Sequence, residues 1–247
     1  TPLYSSAASV VYKRQQEGHQ SVPRLSQRNE ARRSIQGGTF FILYFCFYCD
    51  LCICDIGSDA SHGSDASPGS KTTQICEHMG DSGAVVANEI VSGRINTLVS
   101  NIQRHSCKSS LVVQHDGRHM PMIPMEGYDR VLVDAPCTGS GTTRKNPDVW
   151  HKWIPSAGLS FHELQFDLLR RGIALTKPGG RIVYSTCSLD PIENEAVVSR
   201  TLLDGKVKLI SASNEISEIS CDPGLTEWNV LDDFGNSIDV EKSPDYL

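Results

Sequence analysis

The stretch VLVDAPC, residues 131–137, decides how this chain is expected to fold. Its apolar residues favour a strand, and the strand ends at an acid, a tight turn and Cys137. A second stretch of the same kind, RIVYSTC over residues 181–187, ends at Cys187. In an open parallel sheet, ligands bind outside the carboxyl ends of the strands. Both thiols are therefore predicted to point into one crevice.

An acid and two thiols at neighbouring strand ends suit chemistry on a pyrimidine ring. Carbon 5 of cytosine is a poor nucleophile until a group adds to carbon 6, and a thiolate is the side chain best able to add there. The alternative is that both cysteines are buried structural residues, as free cysteines often are. Because there are two of them, each in a polar turn after a strand, we favour the functional interpretation.

Strands and helices alternate around these two stretches. Such alternation predicts an α/β fold with a doubly wound, mostly parallel sheet. The helix near residue 160 has apolar residues at three- and four-residue spacing, and the KPGG sequence at 177–180 stops it. Helices are predicted over 71–79, 92–103 and 160–175 and from Asp190-Pro191 onward, and strands over 84–87, 111–113, 130–133, 181–184, 207–210 and 227–230.

The first part of the chain lacks this regularity. Residues 1–15, TPLYSSAASVVYKRQ, look like translated adapter sequence, and GSDASH at 57–62 is followed at once by the near-copy GSDASP. The chain begins with Thr1 rather than Met, which predicts a fragment. We therefore predict that residues 1–62 are an unreliable or disordered segment, an artefact or insert, and that residues 63–247 are a catalytic domain truncated at its C-terminus.

Composition limits the partners that this chain can have. A net charge of −6 is unusual for a nucleic-acid binder, because phosphate contacts need clustered Lys and Arg. Nine cysteines at scattered spacing, with no signal peptide, favour free thiols in a reducing compartment. The longest apolar run, 39–49, is shorter than the about 20 residues that span a bilayer. Four cysteines between 46 and 54 lack the second cluster of a zinc site, so we predict no metal.

The thiol motifs carry a family resemblance. DAPCTGSGTT at 134–143, RKNPDVW at 144–150 and YSTCSLDPIENE at 184–195 resemble the Sun-domain RNA cytosine-5 methyltransferases, most nearly the branch that methylates tRNA. This implies a Rossmann-like class I methyltransferase fold with an antiparallel C-terminal strand. It also implies that Cys187 attacks the base and that Cys137 assists release, with the target base unpaired or flipped out.

The same resemblance implies S-adenosylmethionine as cofactor. Its loop, usually Cys-Ala-Ala-Pro-Gly-(Gly/Ser)-Lys, corresponds to DASPGSK at 65–71, in which the Cys and one Ala are replaced. Small residues before a helix N-terminus equally suit a phosphate, but the spacing of a P-loop is not met. The predicted cofactor-binding residues are Asp65, Ala66, Ser67, Pro68, Gly69, Ser70, Lys71, Glu89, Asp116 and Asp134.

Two of these acids have alternative roles. Glu89 and Asp116 follow strands, where they would contact the ribose and the adenine or would serve as turn and cap residues. Asp134 is also predicted to contact the cytosine. Arg144 and Lys145 are predicted to contact RNA, with phosphate binding and base stacking along 144–150 as the functional interpretation and an ordinary polar loop as the alternative.

Two rival functions remain at this point. A dehydrogenase or NTPase would need G-x-G-x-x-G or a complete P-loop, and neither occurs. A truncated or inactive RNA-binding copy with an impaired cofactor site is favoured by the altered residues 65–67. The expected partner is RNA, specifically tRNA, bound by a monomer without a membrane or a metal, at an intracellular, nuclear or nucleolar location.

Overall fold

The computed structural model describes residues 8–13, 51–54, 69–79, 83–122, 126–144, 146–210 and 224–239, the first two ranges by their backbone. The strands are β1 Ala8–Lys13, β2 Leu51–Cys54, β3 Ala84–Asn88, β4 Ser110–Val113, β5 Tyr128–Asp134, β6 Thr176–Ser185 and β7 Val207–Ile210. The α-helices are α1 Ser70–Met79, α2 Ser92–Arg104, α3 Asp148–Lys152, α4 Leu159–Leu175 and α5 Glu195–Leu203. Short 3₁₀ turns cover Gly117–His119 and Ser140–Thr142.

The strands form one sheet in the order β4-β3-β2-β5-β6-β1-β7. From β4 to β6 every neighbouring pair is parallel, whereas β1 runs antiparallel to both β6 and β7. The chain order reverses between β2 and β5, which is the point where such sheets bind their ligands. The predicted doubly wound, Rossmann-like α/β fold is confirmed.

The centre of the sheet forms the core. Val131 and Val133 of β5 and Ile182 and Tyr184 of β6 are buried, in a cluster that includes Leu168 of α4. Central parallel strands are covered on both faces, which explains why their sequences are continuous apolar runs rather than alternating ones. The core therefore holds the carboxyl ends of β5 and β6 in fixed register, Asp134 beside Ser185.

The antiparallel strand comes from the other end of the chain than predicted. Residues 227–230 form no strand, so that expectation is wrong. The antiparallel position is filled by β1, in which Val10 pairs with both Val183 and Ile210. Its ladders with β6 and β7 satisfy the backbone groups that a C-terminal strand would have paired. Because β1 and β2 precede residue 62, two strands lie in the segment predicted to be outside the domain; that boundary stays a prediction.

Two element ends also differ from expectation. Helix α4 ends at Leu175, as predicted. The KPGG sequence, however, lies inside β6, where it shifts the register with β5: Tyr128 pairs with Thr176, and Arg130 pairs with Arg181. Helix α5 begins at Glu195, later than the Asp190-Pro191 start that we predicted. The residues between lie in turns, held by side chains and by the hydrogen bond from the Glu193 N–H to the Asp190 carbonyl oxygen at 3.1 Å. No helix within the described ranges is long and apolar enough to cross a membrane.

Candidate active site

The two predicted thiols lie in contact at the carboxyl ends of β5 and β6. Cys137 Sγ and Cys187 Sγ are 3.2 Å apart. The loop of Cys137 folds over that of Cys187, since the backbone N–H of Gly141 donates to the Cys187 carbonyl oxygen at 2.9 Å. A Cβ at Gly141 would lie 2.8 Å from that oxygen, which requires glycine here. The structure thus brings the two thiols into one crevice.

The contact between the two sulfur atoms shifts the pKa values of Cys137 and Cys187 in opposite directions. The hydrogen bond from Cys137 lowers the pKa of Cys187, and the nearby Lys71 ammonium lowers it further, against burial, Asp134 and Glu193. The same hydrogen bond, followed by burial, raises the pKa of Cys137. Cys137 therefore holds the proton and Cys187 is the better thiolate. The helix that the sequence places from Asp190-Pro191 begins only at Glu195, and the groups that lower the pKa of Cys187 are Cys137 and Lys71.

An ion pair lies beside the thiols. Asp134, the last residue of β5, contacts Lys71 Nζ through Oδ2 and accepts a hydrogen bond from Ser185 Oγ through Oδ1 at 2.7 Å. Both side chains of the ion pair are partly exposed, so a ligand can reach them. Each carboxylate oxygen can accept a further hydrogen bond. The pair therefore joins the start of α1 to the thiol crevice.

The loop before α1 is tightly packed where it is described. Gly69 has φ +91° and is buried, and a Cβ there would lie 2.6 Å from Leu98 Cδ1. Only glycine suits that conformation and that space. Ser70 is exposed and begins the helix, followed by Lys71. The predicted residues Asp65 to Pro68 lie outside the described residues.

Glu89 and Asp116 each have local partners. Glu89 is buried after β3, where it accepts a hydrogen bond from the Val91 N–H at 2.9 Å and pairs with Arg94 at 3.1 Å. Asp116 caps a 3₁₀ turn by accepting from the Arg118 N–H at 2.9 Å. Hydrogen bonds from the Arg118 guanidinium lower the pKa of Asp116 to about 2. Asp116 therefore acts as a cap, which is one of the two roles that the sequence allowed for it. The cofactor role of both acids stays a prediction.

Sequence analysis missed a buried acid between the two thiol loops. Glu193 is fully buried and accepts hydrogen bonds from the Thr138 N–H at 2.9 Å, the Thr138 hydroxyl at 2.5 Å and Gln165 Nε2 at 2.9 Å. Gln165 also donates to the Pro136 carbonyl at 2.8 Å. We had taken Glu193 as part of a helix start. It lies in DPIENE, residues 190–195, where no local pattern separates it from the neighbouring acids.

The segment that follows the Cys137 loop is exposed. Arg144 is exposed, and Trp150 on α3 is 73% exposed. Lys145 lies outside the described residues. Their roles as RNA contacts stay predictions. Among the described residues, no group of three or more His, Cys, Asp or Glu side chains is placed to hold a metal ion.

A second pair of cysteines shows the ordinary behaviour of buried thiols. Cys76 on α1 and Cys107 after α2 line a cavity of about 390 Å³. The cavity lies at the amino ends of β3 and β4, whereas the two thiol loops lie at the carboxyl ends of β5 and β6. Burial, and then the neighbouring Cys107, raise the pKa of Cys76 to about 12. The lowered pKa of Cys187 is therefore a property of its own surroundings.

The strand order and the crevice at its reversal define a Rossmann-like methyltransferase fold. NSun6 from Pyrococcus horikoshii with SFG matches with a TM-score of 0.55 and 26% identity, over 74% of this chain and 42% of that one. A methyltransferase homolog protein from Pyrococcus horikoshii matches with a TM-score of 0.51 and 30% identity, over 66% of this chain and 48% of that one.

The chain belongs to the family described as 16S rRNA methyltransferase RsmB/F, whose sequence pattern matches residues 63–227. It is 40% identical over 184 residues to the multisite-specific tRNA:(cytosine-C(5))-methyltransferase of Saccharomyces cerevisiae, a match that covers 68% of this chain and 27% of that protein. It is 38% identical over 184 residues to the tRNA (cytosine(34)-C(5))-methyltransferase of Drosophila melanogaster, which covers 67% and 25%. The chain thus spans about a quarter of the length of these relatives, and the predicted family is confirmed.

Proposed function

We propose that this chain transfers a methyl group from S-adenosylmethionine to carbon 5 of a cytosine in RNA. The observation that carries the proposal is the 3.2 Å contact between Cys137 Sγ and Cys187 Sγ, next to the Asp134–Lys71 ion pair. The two relatives named above, whose names specify tRNA and cytosine carbon 5, support tRNA as the substrate class.

The start of α1 fits a methyl donor of this kind. Gly69 leaves no room for a side chain, and Ser70 and Lys71 follow it at a helix N-terminus, where backbone N–H groups lack helical partners. When bound, the cofactor supplies the electrophilic methyl group that an activated carbon 5 accepts. Residues 65–68 would complete the loop. To contact the ribose and the adenine, Glu89 and Asp116 would exchange their present arginine partners for the ligand.

Cys187 is the nucleophile in this mechanism. Its thiolate forms a bond from sulfur to carbon 6 of the cytosine, and the electron pair of the 5,6 double bond moves onto carbon 5. Asp134 accepts a hydrogen bond from the exocyclic amine, or shares a proton with ring nitrogen 3, which stabilises the added charge on the ring. Lys71 holds Asp134 in place through their ion pair.

Cys137 is the base that completes the reaction. In the resting protein, the Cys187 thiolate raises the pKa of Cys137 and keeps it protonated. Once Cys187 is a thioether, that negative charge is gone and Cys137 can release its proton to water. The Cys137 thiolate then takes the proton from carbon 5, the 5,6 double bond re-forms, and the bond from sulfur to carbon 6 breaks, which returns the thiolate to Cys187.

Methyl transfer from labelled cofactor tests the proposal. The full chain is incubated with unmodified tRNA transcripts and S-adenosylmethionine tritiated in its methyl group, and the RNA is digested to nucleosides. We expect tritium in 5-methylcytidine, and none with Cys187→Ala. Cofactor binding without label in any RNA would contradict the proposal. If the chain neither binds the cofactor nor labels any RNA, the inactive-copy alternative is favoured.

A further inference from the structure

We infer that Glu193 is a positioning residue for the thiol pair: it holds the Cys137 loop against the Cys187 loop, so that the two sulfur atoms stay in hydrogen-bond contact. The inference rests on the proposed function, because it states how the same site is set for attack. Glu193 touches neither thiol and is not itself a reacting group.

The first observation is the clamp that Glu193 forms between the two loops. One carboxylate oxygen accepts from the Thr138 N–H at 2.9 Å and from Gln165 Nε2 at 2.9 Å, and the other accepts from the Thr138 hydroxyl at 2.5 Å. Thr138 directly follows Cys137. The main chain of Glu193 is fixed separately, since the Tyr184 hydroxyl donates to its carbonyl oxygen at 2.6 Å. The Glu193 side chain is therefore not needed to fix its own main chain, and its hydrogen bonds hold the Cys137 loop.

The second observation is a chain of hydroxyl groups that ends at Glu193. Ser140 Oγ lies 3.1 Å from Ser188 Oγ, which lies 3.2 Å from Thr138 Oγ1, and Thr138 donates to the carboxylate. Backbone N–H groups of residues 189–190 donate to the two serine hydroxyls at 2.8 and 3.0 Å. A carboxylate at the end lets every hydroxyl in the chain both accept and donate. The chain joins both thiol loops through polar side chains.

The third observation is the placement of charge around the two sulfur atoms. Glu193 raises the pKa of both thiols. Lys71 lowers the pKa of Cys187, and Asp134 opposes it. Burial raises the pKa of Glu193 itself, while the hydrogen bonds donated to it act in the opposite direction. The hydrogen bond between the two sulfur atoms is the largest cause of both thiol shifts, and Glu193 holds the Cys137 loop where that hydrogen bond forms.

Alkylation of the free protein tests the inference directly. The full chain, without RNA or cofactor, is treated with iodoacetamide from about pH 6 to about pH 9, and mass spectrometry of peptides gives the rates at Cys137 and Cys187. Glu193→Gln keeps an oxygen for the Thr138 N–H but replaces the oxygen that accepts from the Thr138 hydroxyl with an amide nitrogen, which loosens the contact between the two loops. We expect the ratio of the Cys187 rate to the Cys137 rate to fall about tenfold, which corresponds to about 1.4 kcal/mol.

Two further variants complete the test. Asp190→Asn changes another largely buried carboxyl, whose oxygen accepts from the Ile192 N–H at 2.9 Å, and should leave the ratio unchanged. Glu193→Asp keeps the charge but shortens the clamp, so the ratio should fall less, about threefold. That variant decides the question if Glu193→Gln does not fold.

An unchanged ratio in the folded Glu193 variants, or an equal fall with Asp190→Asn, would overturn the inference. Because alkylation needs neither RNA nor cofactor, its result is separate from that of the methyl-transfer assay. A chain that shows the shift but transfers no methyl group would retain the positioning role and lose the proposed function.

Discussion

At the scale of single residues, the proposed chemistry depends on how one proton is shared between two sulfur atoms. A thiolate attacks and a thiol does not, so two equivalent cysteines would give no defined nucleophile. Here the hydrogen bond between Cys137 and Cys187 shifts their pKa values in opposite directions. That hydrogen bond is the largest cause of both shifts, while Lys71 lowers the pKa of Cys187 and Glu193 raises the pKa of both thiols.

Lys71→Met tests the source of the Cys187 thiolate. The substitution removes the cation and leaves Asp134 without its ion-pair partner, and both changes raise the pKa of Cys187. We expect the midpoint of the alkylation-versus-pH curve of Cys187 to rise by about one unit. Lys108→Met, at the cavity by the amino ends of β3 and β4, is the matched control and should leave the curve in place. If both variants keep the parental midpoint, Lys71 does not activate the thiol.

Some of these residues could be predicted from the sequence and others could not. Cys137, Cys187 and Asp134 follow apolar strands, and the edge at which parallel strands end is a property of the fold, so their meeting could be predicted. Glu193 could not be recognised, because whether an acid is buried depends on packing across the whole domain. The arginine partner of Glu89 could not be predicted either, since a side-chain contact is not a pattern in the chain.

At the scale of elements, the position next to β6 shows how distant segments complete a sheet. β1 lies between β6 and β7, and Val10 is paired on both sides. A strand so placed uses its backbone groups in two ladders. Without it, β6 and β7 would each present an unpaired edge.

Val10→Pro tests this placement. Proline removes the N–H of residue 10, so a backbone acceptor in a neighbouring strand loses its donor. We expect the free energy of unfolding to fall by about 1–3 kcal/mol, measured by urea denaturation. Val10→Thr keeps the N–H and a β-branched side chain, and should change stability much less. Equal stability of the two variants would show that β1 does not pair in the sheet.

The elements that could be predicted are those with strong local patterns. Strands β3, β4, β5 and β7 and helices α1, α2 and α4 were expected within a few residues of their observed bounds. β1 was not expected, because a short strand is stabilised by partners far away in the chain and its polar flanks resemble a loop. The KPGG sequence ends α4 as predicted, but the chain continues directly into β6, with the irregularity at these residues.

At the scale of the whole molecule, His162 links stability to pH. It is fully buried, its Nδ1 donates to the Ile192 carbonyl at 2.8 Å, and its Nε2 has no hydrogen-bond partner among the described residues. Burial lowers the pKa of His162 below its usual 6.5. Protonation therefore favours the unfolded chain, and this contribution to stability is lost as the pH falls below 6.5.

The pH dependence of urea denaturation tests this link. Between about pH 7.5 and about pH 5.5, the parent protein should lose stability relative to His162→Gln, by up to about 1.4 kcal/mol per pH unit below 6.5. Burial raises the pKa of Asp190, Glu193 and Glu195, which has the opposite effect at acid pH but is common to both proteins. Parallel stability curves would contradict the assignment.

The fold class could be predicted because each thiol motif marks the carboxyl end of a strand. Two such ends are enough to orient a parallel sheet. The RNA surface could not be predicted, since a net charge of −6 says only that basic residues must act locally. The chain spans 27% of the length of the Saccharomyces cerevisiae relative.

The central claim is that Cys187 bonds to the base and Cys137 releases it. The most direct measurement is a denaturing gel of the two alanine variants after incubation with RNA and S-adenosylmethionine. Cys137→Ala should accumulate a protein–RNA adduct, because attack proceeds and the carbon 5 proton is not removed. Cys187→Ala should form none. An adduct with Cys187→Ala and none with Cys137→Ala would contradict the account and exchange the two roles.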